Sequence, residues 1–302
     1  MANKPALRGF LDLQAVTSEV LSENGAQITL ERRELVFSPR EVLYIPPYVP
    51  PPPPPPLYGD EALALFAAMT VEPDATRKGL IDTCIADLIA GGVWAKLDFI
   101  YMLAAHDEQA AFLNWLNPGG PNTITKTGTV DFVVDRGHTA GTASGDRLNT
   151  QFTDTSVSKS MLDNTHFSVW VLNNVQSNNF GAPITGNNGH NSVRPFLTVN
   201  NYAINVQGIT PQGASTDSRG FWMGVRADSS TSTAFKNNGT LASASGITTA
   251  PVGNAIYICG RNGFTSTRNQ VAVATWGAAL NAGERTVLYN ALNAYLTAVG
   301  AV

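Results

Sequence analysis

Phe167-Ser168-Val169-Trp170-Val171-Leu172 and Val271-Ala272-Val273-Ala274-Thr275-Trp276 carry apolar side chains at both odd and even positions. Successive side chains of a strand point to opposite faces, so a strand apolar on both faces is covered on both and stands inside a sheet. Further short strand-like runs lie around these two: Val130 to Val134, Phe196 to Val199, Tyr202 to Val206, Phe221 to Val225 and Ala255 to Cys259. Gly, Asn, Ser and Thr separate them, and this spacing predicts an antiparallel β-sandwich over residues 117–302. Trp170, Trp222 and Trp276 fall within the runs and read as core. After the last run, Asn281 and Glu284 are spaced as an N-cap and its capping-box partner. Val287, Leu288, Leu292, Tyr295 and Leu296 then line one face, so a helix follows the final strand.

Upstream the pattern changes twice. Seven consecutive prolines, Pro50 to Pro56, follow Pro46-Pro47-Tyr48-Val49. Proline fixes φ and lacks the amide donor, so residues 46–57 predict a polyproline stalk of about 3.1 Å per residue. Before it, residues 1–45 are too few for a core of their own. Asn24-Gly25 is a turn signal and Ile28, Leu30, Leu35 and Phe37 have strand character. This segment reads as a docking anchor for a partner or for copies of itself. After the stalk, residues 58–116 predict a helical collar. Its helices run from Asp60 to Met69, from Pro73 and Asp74 to Gly91-Gly92, from Val93 to about Ala105, and over Glu108 to Trp115. In a trimer the collar helices over residues 60–90 are the expected bundle.

The chain has 302 residues, 43% apolar and 14% charged, with a net charge of −4. Its polar surface is therefore built from Asn, Thr, Ser and Gly, as in β-rich, loop-rich proteins. No block of Lys or Arg exists to displace counterions, which argues against nucleic-acid binding. Cys84 and Cys259 each sit in an apolar run and read as two buried thiols, with a bridge between them the alternative. The start, MANKPALRGFLDL, lacks the pattern of a signal peptide, and no run approaches the ~20 apolar residues of a membrane span.

Three features near the end resemble laminin G-like and concanavalin A-like jelly rolls. They are the hairpin Ala234-Phe235-Lys236-Asn237-Asn238-Gly239-Thr240-Leu241, the strand Ile256-Tyr257-Ile258-Cys259 ending in Gly260-Arg261, and Gln270 to Trp276 leading into Ala279-Leu280-Asn281-Ala282-Gly283-Glu284. The order of an apolar-plus-Trp run (Leu97 to Trp115), this sandwich and a Leu/Tyr-rich terminal helix also resembles a class of tailed-bacteriophage virion proteins, over roughly residues 60–302. That resemblance implies a virion appendage such as a tail fibre or tail-tip protein, or a head spike. It would dock through residues 1–45, form a homo-oligomer and contact a host-surface glycan. A free carbohydrate-binding module or a glycosidase is the alternative.

Catalysis finds little to stand on in the sequence. Glycoside hydrolysis ordinarily uses two carboxylates, and after Glu108 the only Glu is Glu284, already assigned as a helix cap. Asp131 and Asp135 are near neighbours without the Glu-x-Asp-x-x-Glu pattern of glucanases of the resembled family, so no enzyme is expected. His106, His138, His166 and His190 have no partner at metal spacing. His106 reads as the end of a helix. Lectin-like sandwiches often hold calcium, for which Asp135 or Asp146 would serve; no other cofactor is implied. Saccharides are held by aromatic faces with a few amides and hydroxyls on loops of a rigid scaffold. The loop from Gly186 to Arg194, with Asn188, His190 and Arg194, and the Asn200-Asn201-Tyr202 run offer that chemistry. Asn and Gly also simply make turns.

Overall fold

The computed structural model describes residues 11–23, 26–37, 58–176, 182–186, 190–197, 200–261 and 268–302, the first two stretches by backbone alone. It divides into two units, Met1–Pro56 and Leu57–Val302. In the first, β1 (Leu11–Glu23) and β2 (Ala26–Phe37) pair antiparallel, with Glu23 opposite Ala26. The turn signal Asn24-Gly25 and the proline run lie outside the described residues.

The second unit runs α1 (Asp60–Ala68), α2 (Ala75–Ala90), β3 (Leu97–Met102), α3 (Glu108–Ala111), β4 (Thr125–Thr127), β5 (Val130–Val133), β6 (Gly137–Ala140), β7 (Arg147–Thr153) and β8 (Thr165–Val171). There follow β9 (Ile184–Gly186), β10 (Asn191–Arg194), β11 (Asn201–Val206), β12 (Gln212–Ala214), β13 (Gly220–Arg226), β14 (Thr231–Lys236), β15 (Gly239–Ser245), β16 (Ala255–Ile258), β17 (Gln270–Gly277) and α4 (Ala282–Ala298). Among the described residues these strands build two antiparallel sheets. One is ordered β12-β11-β10-β9-β16-β7-β4, the other β15-β14-β13-β8-β17-β6-β5, with β3 also paired to β17. The chain is thus mostly β, an antiparallel sandwich as the apolar runs predict.

The two doubly apolar runs are its central strands. Phe167, Val169 and Val171 of β8 face the inter-sheet core with Trp222, Ala274 and Trp276. Trp170 of the same strand faces the other way, among residues of α1, α2 and α4. The second sheet is therefore buried on both faces, under the first sheet and under helices. All three tryptophans are core. Ser168 and Thr275 would be orphaned there, and they bond to each other at 2.6 Å. Burial also keeps two histidines neutral: His166, its Nε2 3.4 Å from the Thr275 hydroxyl, and His138, flanked by Phe112 and Phe132, each fall to a pKa of about 4.

The helical segment 58–116 is not a collar set apart from the sandwich. Leu57–Val302 is one compact unit, and α1 and α2 bury Leu65, Ile81, Ile85 and Leu88 in the cluster that holds Leu292 and Leu296 of α4. This packing occupies the faces expected to form a bundle between copies. The helix expected over Val93 to Ala105 is mostly strand: only Trp94–Lys96 turns, as a 3-10 segment, and Leu97–Met102 is β3. The run is apolar on both faces because β3 lies within the doubly covered sheet. His106 accordingly ends no helix, and its Nε2 lies 2.9 Å from the Val71 carbonyl oxygen.

Local chemistry fits elsewhere. Asn281 Oδ1 accepts the Glu284 amide at 3.0 Å and Glu284 Oε2 accepts the Asn281 amide at 2.8 Å, completing the capping box. The β14–β15 hairpin turns on Asn237 and Asn238, with φ of 48° and 65°, the two positive values a tight primed turn requires. Cys84 and Cys259 are both free and buried. Among the described residues no helix is long and apolar enough to cross a membrane.

Candidate functional site

The seven-stranded sheet has one face in the core and one turned away from it, and strand register decides which residues stand abreast on the outer face. Ser192 pairs with Asn205 on one side and Thr185 on the other. Thr185 pairs with Tyr257, Tyr257 with Asn149, and Asn149 with Thr125. The residues alternating with them, Ile204, Val193, Ile184, Ile256 and Leu148, are all in the core. Asn205, Ser192, Thr185, Tyr257, Asn149 and Thr125 therefore form one row across six strands. At about 4.8 Å per strand the row is roughly 24 Å long. Every member carries a hydroxyl or an amide.

Two arginines flank the row on the same face, each two residues from a member along its own strand. Arg194 stands beside Ser192 on β10, and Arg147 beside Asn149 on β7. The Arg147 guanidinium lies 4.8 Å from the centre of the Tyr257 ring and its Nη1 donates to the Gly145 carbonyl at 2.6 Å, which fixes the ring. Gln151 fixes the far end: its side-chain amide donates to Thr125 Oγ1 at 2.6 Å and its backbone amide to Asn149 Oδ1 at 3.0 Å.

Hydrogen-bonding capacity is left over on this face. Thr185 Oγ1, Asn201 Oδ1, Asn205 Oδ1, Arg147 Nε and Arg194 Nε are buried without a partner. Each such atom costs about 1–3 kcal/mol, and native interiors hold few of them. Burial pulls the pKa of Arg194 down, and the nearby Arg261 adds repulsion. Thr185 and Ser192 are 2% and 4% exposed, so this stretch of the row is held away from bulk water.

The sequence-predicted residues divide. Arg194 belongs to this face. His190 immediately precedes β10, half-buried, and its carbonyl accepts the Gly208 amide at 3.0 Å. Asn188 lies outside the described residues. Tyr202 is a correction: alternation along β11 turns it inward, it is 3% exposed, and its ring lies 5.8 Å from that of Trp222. It packs the core and offers no platform. The expected loop from Gly186 to Arg194 is also largely strand, with Gly186 ending β9 and Asn191–Arg194 forming β10. Ser192 falls within the expected loop, but nothing in the sequence singles out Asn149, Thr185 or Tyr257, because only long-range register aligns them.

Neither calcium candidate is left for a cation. Asp135 accepts Arg77 Nη2 at 2.6 Å, and the Asp146 carboxylate accepts the Thr129 and Ala143 amides, each at 3.0 Å. Among the described residues no group of three or more His, Cys, Asp or Glu stands within reach of one metal. A separate cleft of about 440 Å³ opens beside Trp94, Asp98, Asn114, Phe152 and Lys159. Its Asp98 carboxylate is already spent on the amides of Ser158, Lys159 and Ser160, at 2.6 to 2.8 Å.

No protein-family model matches the chain, and no curated protein matches it. Among solved structures it is similar to domain 4 of AbnA, a GH43 extracellular arabinanase from Geobacillus stearothermophilus, in complex with arabinotriose, at 14% identity over 64% of this chain and 98% of that one, with a TM-score of 0.42. It is similar to the binding domain of Paraclostridial Mosquitocidal Protein 1, at 12% identity over 66% of this chain and 53% of that one, with a TM-score of 0.45. A structure of botulinum neurotoxin type C, whose cell entry depends on interaction with two ganglioside molecules, matches at 10% identity over 67% of this chain and 53% of that one, with a TM-score of 0.46. The chain spans about half the length of the latter two.

Proposed function

We propose that this chain is a non-enzymatic glycan-binding component of a virion appendage, holding a saccharide along the outer face of its seven-stranded sheet. The observation that carries the reading is the six-strand row of hydroxyls and amides, with buried polar atoms that have no partner. A saccharide presents a matching series of hydroxyls, and Tyr257, held under Arg147, supplies an aromatic surface. An apolar ligand would leave the same atoms unpaired, at a cost.

The appendage role is supported by the resemblance of residues 60–302 to tailed-phage virion proteins. The order of strand hairpin, proline run and sandwich fits an attachment point, a stand-off and a presented head.

The test is the full chain on a broad oligosaccharide array, followed by calorimetry of any ligand found. Binding that weakens about tenfold or more in Thr185→Val, which removes one hydroxyl at constant volume, supports this face. Absence of binding across the array sinks the glycan reading. Cryo-electron microscopy of particles that contain the chain tests the appendage role, which fails if the chain occurs only free.

A further inference from the structure

The protein is net negative, yet its candidate face is positive. Between Asp163 and Asp217 the chain contains no Asp or Glu, and none occurs between Asp228 and Glu284. Those two stretches supply β9, β10, β11, β12 and β16 together with their connecting loops. All seven strands are thus free of carboxylates within their own bounds, β4 and β7 included. Asp146 and Asp154, at the two ends of β7, are both consumed by backbone, and Glu108 beside β4 is paired with Lys126 at 2.8 Å. Asp146 accepts two amides as described, and Asp154 accepts the Gly253 amide at 2.7 Å and the Val252 amide at 3.3 Å.

The same region carries Arg194 and Arg261, and β7 adds Arg147. Arg194 makes no ion pair with any described residue, and its Nε lies buried without a partner. Its pKa is lowered by burial and by Arg261, with no carboxylate opposing the shift. A partly buried guanidinium that faces another cation is costly unless an anion is supplied from outside. The guanidinium fork matches a carboxylate with two parallel hydrogen bonds.

We infer that the ligand of this face is an acidic saccharide, whose carboxylate sits at Arg194 while its hydroxyls run along the Thr185 row. The inference rests on the glycan reading above and narrows it. Carboxylate binding places the counter-charge where this sheet has none, and Thr185 Oγ1 and Asn205 Oδ1 meet sugar hydroxyls further along.

The experiment uses the full chain and two matched probe pairs: tetragalacturonate against its methyl ester, and sialyllactose against lactose. In each pair the sugar framework is kept and the charge is absent from the second member. The expected result is binding of at least one acidic member about tenfold or more tighter than its neutral counterpart, the worth of a charge-assisted pair, and weakening with added salt. Arg194→Gln should then lower the acid to the neutral member's affinity, with a melting temperature no lower than that of the unmodified chain, and Arg194→Lys should restore part of the difference. Equal affinity for charged and neutral members overturns the inference and leaves the glycan reading standing. So does a neutral ligand found on the array while both acidic probes fail. Failure of every saccharide overturns both.

Discussion

The Arg226 guanidinium is wholly buried and meets the Asp163 carboxylate at 2.8 Å. It also donates to the Ser232 hydroxyl at 3.0 Å and the Thr248 hydroxyl at 2.7 Å, and Thr248 in turn donates to Asp163 at 2.6 Å. The Thr248 hydroxyl and then Arg226 hold the Asp163 carboxyl below the usual carboxylate range. Removing one member of a buried pair strands the other's charge. Asp163→Asn should therefore cost about 3 kcal/mol in urea denaturation, whereas Arg226→Met, which removes the charge itself, should cost less. Equal losses would show that stranding the Arg226 charge carries no extra cost.

His138 and His166 make the fold sensitive to acid. Each is buried with a folded pKa of about 4, against about 6.5 when unfolded. Burial is the main cause for both. The groups facing His138 are Glu108, with Oε1 3.4 Å from Nε2, and Lys126, which pairs with that carboxylate at 2.8 Å. Each neutral ring contributes stability that is complete above pH 6.5, shrinks as the pH falls toward 4, and is gone below. Across this window the slope should be roughly 1 kcal/mol per pH unit for each histidine. Urea midpoints measured from pH 7.5 to 4.5 check this, and His138→Phe should remove about half of the slope.

Two glycines should respond in opposite senses to alanine. Gly137 has φ of +86° and a Cβ there would lie 2.0 Å from the Val271 carbonyl oxygen, so Gly137→Ala should cost at least about 2 kcal/mol by splitting β6 from β17. Gly79 lies within α2, where an added Cβ meets nothing within 4 Å. Gly79→Ala should stabilise by about 0.5–1 kcal/mol. Thermal melts of the two variants read both effects.

The two thiols should be silent in the native protein. Burial pushes Cys84 up to about 12 and raises Cys259 as well, so neither offers thiolate at neutral pH. A thiol reagent should count zero reactive groups in buffer and two in denaturant. A fast-reacting thiol in buffer would contradict the packing around one of them.

Tyr257 and Trp94 separate the sheet face from the cleft. If the face binds saccharide, Tyr257→Ala should weaken binding about tenfold or more, as expected for loss of a buried aromatic contact, while Trp94→Ala leaves affinity unchanged. The reverse outcome would move the site to the cleft.

The sandwich was legible because its deepest strands are apolar on both faces and its turns are rich in Asn and Gly. Leu97–Met102 reads as helix for the same reason that Phe167–Leu172 reads as a central strand. A run apolar on every side has no periodicity to separate strand from helix. Tyr202, an aromatic beside two asparagines, reads as a loop platform, and only the alternation of β11 turns it inward. The row through Thr185 and Tyr257 was invisible, since its members come from six strands and meet only through register. The lack of carboxylates in that region was plain in the sequence, but it gained meaning only once β9 to β12 and β16 proved to be neighbours.

The position of β17 bears on how the chain comes to be folded. It is the next-to-last element, and it lies between β8 on one side and β3 and β6 on the other. During synthesis β3 emerges early with both faces apolar and must wait for a partner made some 170 residues later. Until then the larger sheet has a gap at its centre, and α1 and α2 have no finished surface to cover. The second unit should therefore acquire its structure in one late, all-or-none event, and translation halted before residue 270 should yield chains that chaperones hold and proteases remove.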